Sequence, residues 1–76
     1  MTETELLNNI SLSLRTSMRN KNITQTDLAK KTGIRRQLIN YYVNGKTIPS
    51  LKNLLNMFYV LDLSVDDVIE MFDIIE

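Results

Sequence analysis

The chain has 76 residues, nine basic and nine acidic, so it is formally neutral, and it contains neither cysteine nor histidine. That length fits one small domain with a modest core. The missing side chains remove disulfides, the commonest metal ligands and the commonest general base, which argues against an enzyme.

The N-terminal MTETELL has no basic segment ahead of an apolar stretch, and no run nears the ~18 apolar residues of a membrane span. A cytoplasmic protein is expected, with no cofactor, metal, small-molecule ligand or membrane partner. The charge is unevenly spread. All nine basic residues lie between Arg15 and Lys52, where Asp27 is the only acid, giving +8; the residues before carry −2 and those after carry −6. A neutral chain of this kind can present one strongly basic face.

In chain order, Thr2 followed by Glu5 is a capping box, so a first helix is expected to begin there. Leu6, Leu7, Ile10, Leu14 and Met18 recur at helical spacing, and the helix should end near Asn20 to Asn22. Thr24 suits the N-cap of a second helix, with Asp27 at its positive end. Leu28 and Ala29 face inward, and Gly33 suits a left-handed turn.

A third helix follows over about residues 35–44. Projected at about 100° per residue, Leu38, Ile39, Tyr42 and Val43 share one side, and Arg36, Gln37, Asn40, Tyr41 and Asn44 share the other. The polar side has no acid and carries groups that can read base edges: Arg pairs bidentately with guanine, and Gln or Asn with adenine. Tyr41 can meet a thymine methyl or the sugar-phosphate edge. Arg35, at or beside the N-cap, opposes the helix dipole, a local cost that an arriving DNA phosphate would reverse. Two helices joined by a short turn in this way form a helix-turn-helix unit, spanning residues 24–45.

Asn44 and Gly45 end the third helix with residues suited to positive φ, and Lys46 in the following loop is placed for a backbone phosphate. Pro49 and Ser50 open a fourth helix, whose face Leu51, Leu54, Leu55, Phe58 and Leu61 is expected to close the core. Ser64 caps a fifth, with Asp66 and Asp67 at its positive end. Asp66, Glu70 and Asp73 read as a solvated acidic face. The apolar residues of this region exceed one buried side, and Val60, Met71, Phe72, Ile74 and Ile75 are expected to meet a second copy of the chain.

The spacing of Gln25, Ala29, Gly33, Ile34, Ile39, Asn44, Gly45 and Pro49, followed by Leu54, Leu63 and Val68, resembles the lambda-repressor-like (Xre) helix-turn-helix regulators. The likeness covers roughly Leu14 to Val68. It implies a compact, all-α five-helix DNA-binding domain over residues 1–76, with helices four and five (50–76) supplying core and dimer surface. By the same resemblance, Gln25 contacts phosphate and buttresses the recognition helix. Asn44 contacts the backbone, and Arg36, Gln37 and Tyr41 occupy base-contacting positions. The chain departs from the family at Met18 and Val43, where many members place a buried Arg–Glu ion pair.

The expected function is sequence-specific binding of double-stranded DNA through the major groove, as a prokaryotic or phage transcriptional regulator. A small Cro-like or minimal repressor is expected, acting as a homodimer on a pseudo-palindromic operator. The alternative is an interaction module, antirepressor-like or antitoxin-like, that binds another regulator. The two differ in salt response, because DNA binding weakens steeply with salt and an apolar protein interface does not.

Overall fold

The computed structural model describes the backbone of residues 2–72 and the side chains of residues 2–70. Five α-helices follow in order: α1 (Glu3–Lys21), α2 (Gln25–Thr32), α3 (Arg36–Val43), α4 (Leu51–Leu61) and α5 (Val65–Phe72). No strand occurs among the described residues. The all-α expectation therefore holds.

Each helix starts where local chemistry satisfies its free N–H groups, α3 excepted. Thr2 and Glu5 form the reciprocal capping box that opens α1, and Thr24 and Asp27 form another at α2. The Ser50 hydroxyl accepts from the Asn53 N–H at α4. Ser64 and Asp67 exchange backbone and side-chain bonds at α5. The Asp27 carboxylate accepts the Thr24 N–H at 3.0 Å, and that bond, then the Thr24 hydroxyl and Lys31 and Lys30, hold its pKa below the ordinary Asp range.

A depressed folded-state pKa contributes stability above the unfolded-state value, and that contribution is lost as pH falls through the folded value. The acid limb of the melting curve should therefore flatten in Asp27→Asn, with Tm differing from the parent at neutral pH and converging below the usual carboxylate range. Thermal melts at several pH values would show this; a constant difference at all pH values would refute it.

Chain reversals use left-handed residues. Gly33 closes α2 at φ +74°, and its N–H donates to the Ala29 carbonyl at 2.9 Å. A Cβ there would touch nothing within 4 Å, so only backbone strain should oppose substitution. Gly33→Ala is expected to cost about 1–2 kcal/mol, and Gly33→Asn less, measured by denaturant unfolding. After α3, Gly45 alone takes positive φ, at +67°, while Asn44 stays at −97°. The expectation that both residues of that pair suit the left-handed region holds for the glycine only.

α1 is the spine. It packs against α3, α4 and α5, whereas α2 packs against α3 and α4. The core gathers Ile10, Leu14 and Met18 of α1, Leu28 of α2, Ile34, then Ile39, Tyr42 and Val43 of α3, and Leu54, Met57, Phe58 and Leu61 of α4. Buried Ser11 is satisfied by donating its hydroxyl to the Val43 carbonyl, which ties α1 to the end of α3. No buried side-chain polar atom among the described residues lacks a partner.

One expectation about this core is corrected. Leu51 and Leu55 do not close it: they are 71% and 54% exposed, and fully buried Met57 takes the inward position. α4 carries apolar residues on both sides, so periodicity alone did not single out the inner one. Val60 is half-buried and packs on its own core. Ile74, Ile75 and Asp73, and the side chains of Met71 and Phe72, lie outside the described residues.

Candidate nucleic-acid interface

The helix-turn-helix unit is held rigid by bonds from behind. The Thr32 hydroxyl donates to the Leu28 carbonyl at 2.7 Å and accepts the Ile34 N–H at 3.2 Å, which fixes the turn between α2 and α3. From α4, Asn56 Nδ2 donates to the Thr32 carbonyl at 2.7 Å. Asn53 Nδ2 donates to the Tyr42 hydroxyl at 2.9 Å. The fourth helix thus supports both the turn and the inner side of α3. Neither Asn53 nor Asn56 stood out in the sequence; the signal was there, because asparagine is a poor helix-interior residue and two of them three apart ask for partners.

On the open side, Gln25, Arg36, Gln37, Asn40 and Tyr41 line one shallow concavity. Five of the eight residues expected to touch DNA are therefore brought together by the α2–α3 packing. Gln25 is half-buried at the start of α2, and Arg36, Gln37, Asn40 and Tyr41 are exposed. Arg35, Asn44 and Lys46 are exposed too, Arg35 at the head of α3 and the others just past its end.

Hydrogen bonds orient the amides of this surface. Asn40 Nδ2 donates to Gln25 Oε1 at 3.1 Å, linking the two helices. Gln37 Nε2 donates to the Tyr41 hydroxyl at 3.0 Å. An amide nitrogen has two N–H donors, so each of these bonds leaves one donor free. Gln37 and Asn40 are thereby held in place, and each retains the donor and acceptor that adenine recognition needs. Asn44 Nδ2 turns back to the Asn40 carbonyl at 2.9 Å, capping the last turn.

The head of α3 differs from the other four. Arg35 is its N-cap, with no side-chain cap hydrogen bond, and the first turn contains no acid. Free backbone N–H groups and the positive end of the helix dipole lie there, beside two consecutive exposed arginines. Such an arrangement attracts an anion and provides charge-assisted donors for it.

A family profile described as helix-turn-helix matches residues 14–68. The chain is also similar to an uncharacterised HTH-type transcriptional regulator of Archaeoglobus fulgidus, at 38% identity over 47 residues. That match covers 62% of this chain and 66% of the relative, just under two thirds of the latter's length. No solved structure matches the chain.

Proposed function

Because the chain belongs to the lambda-repressor-like helix-turn-helix family, we propose that it is a sequence-specific DNA-binding transcriptional regulator. In this reading α3 enters the major groove of double-stranded DNA, with Arg36, Gln37, Asn40 and Tyr41 facing base edges. Gln25, Arg35, Asn44 and Lys46 hold the flanking phosphates. The observation that carries the proposal is the acid-free, exposed side of α3, whose two amides are oriented while each keeps a free donor and acceptor.

One such domain makes few base contacts. Two copies related by a two-fold axis read half-sites about 34 Å apart, one turn of the duplex, and gain both affinity and specificity. We therefore propose a homodimer on a pseudo-palindromic operator, with repression by occupancy as its mechanism. Selection from random duplex DNA tests this: a symmetric enriched motif is the expected result, and absence of enrichment would overturn it.

Arg35→Ala should weaken operator and unrelated DNA by similar factors, because a phosphate contact carries no sequence information. It should also make the logarithmic salt dependence shallower by about 0.9 for each phosphate that is no longer neutralised. Fluorescence anisotropy at several salt concentrations measures both. A large drop in operator affinity with unrelated DNA unaffected would show that Arg35 reads a base instead.

A further inference from the structure

The outward side of α4 is apolar and uncovered. Leu51, Leu55 and Tyr59 are 71%, 54% and 86% exposed. They recur every fourth residue and so form one stripe. α5 packs on α1, and among the described residues no other helix covers the stripe.

The exposed charges beside it oppose the helix's own dipole. Lys52 lies in the first turn of α4 and Asp62 is its C-cap, with no acid in the first turn and no base in the last. A cation near a helix N-terminus and an anion near its C-terminus are each unfavourable. A second α4 laid antiparallel reverses both terms, since each charge then meets the opposite charge and the favourable dipole end of its neighbour.

We infer that this face joins two copies of the chain through an antiparallel α4 pair, with the two-fold axis at the level of residue 57. The register follows from charge complementarity. Placing Lys52 across from the partner subunit's Asp62 sets Leu55 against the partner subunit's Tyr59, and the two-fold repeats both contacts. The inference deepens the proposed two-fold reading of DNA and rests on it for its purpose. An 11-residue helix is about 16 Å long and offers much less than the roughly 800 Å² per partner of a standard interface. The pair is accordingly weak in free solution and is reinforced when adjacent half-sites hold the two copies together.

The absence of native cysteine makes disulfide trapping a direct test. Leu55→Cys and Tyr59→Cys are each prepared in the full chain, then oxidised alone and as a mixture. In this register position 55 faces position 59, whereas two copies of either position are offset by about 6 Å along the axis, beyond easy bridging. The expected result is a heterodisulfide that exceeds either homodisulfide and exceeds the product of Leu12→Cys, an exposed α1 control. Cross-linking no greater than that control overturns the inference.

Sedimentation equilibrium supplies a second measurement. Tyr59→Ser should raise the dimer dissociation constant at least about tenfold with helical circular dichroism unchanged. Unchanged association, or association abolished instead by removing residues 73–76, overturns the α4 pairing. A symmetric motif selected by a chain whose α4 cysteines fail to pair would reject only this interface. Paired cysteines without any enriched DNA would reject the DNA reading and leave the interface standing.

Discussion

Met18→Arg is expected to lower the unfolding free energy by about 3–5 kcal/mol, because it places an unpaired charge in the core. Met18 is only 7% exposed and Val43 only 5%, and both belong to the same apolar cluster. They stand where many relatives by resemblance carry an Arg–Glu pair. Losing both charges together is tolerated, since apolar packing replaces a buried ion pair at little cost or with a gain. Restoring one alone leaves a guanidinium without a partner.

The double variant Met18→Arg with Val43→Glu should recover part of that stability, and the recovered amount is the coupling energy of a double-mutant cycle. Urea unfolding of the four proteins supplies the numbers. An unchanged midpoint in Met18→Arg would show that the arginine reaches solvent and that the site is not a closed core position. A destabilised single variant without rescue would show that the two positions do not face each other.

The second large effect is on recognition. Gln37→Ala should cost about 1–3 kcal/mol of discrimination at the base it reads, seen as a weakened preference at one position of each half-site. Fold stability should change little, because Gln37 is exposed and its hydrogen bond is to the Tyr41 hydroxyl. Tyr41→Phe removes that bond while keeping the ring, so Gln37 loses its orientation but not its chemistry. A smaller, parallel weakening at the same base is expected from it. Repeating the duplex selection with each variant measures both, and an unaltered motif in Gln37→Ala would remove this residue from the base-reading set.

These effects depend on how firmly α3 is presented. Asn53 and Asn56 bind the inner side of the unit, and Gln25 reaches across from α2 to Asn40. The proposed reading surface is thus backed by two helices, and on that proposal its side chains lose less freedom on meeting DNA than they would on a free helix.

Much of this was legible in the chain itself. Thr2, Thr24, Ser50 and Ser64 each open a helix as their chemistry requires, because caps act over three or four residues of neighbouring backbone. The two sides of α3 also separate as the helical projection requires, with Ile39, Tyr42 and Val43 inside and Arg36, Gln37, Asn40 and Tyr41 outside. There the polar and apolar residues alternate cleanly enough for a period of about 3.6 to divide them.

In α4 the same reasoning places Leu51 and Leu55 inward, whereas they face out and Met57 faces in. The reason is compositional. A helix apolar on two sides has no unique inner face, and only its neighbours select one. Asn44 and Gly45 are a similar case: both tolerate positive φ, and the path of the chain into α4 assigns it to the glycine.

The amino-acid order by itself determined where helices begin, where the first three end, which residues of α3 are polar and outward, and the concentration of positive charge in the middle of the chain. Each of those depends on residues near one another along the backbone. Tertiary packing decided which side of α4 is buried, that Asn53 and Asn56 brace the helix-turn-helix unit, and that Gln25 meets Asn40 across fifteen positions. Such contacts join segments far apart in sequence, so they exist only once α2, α3 and α4 have packed on one another.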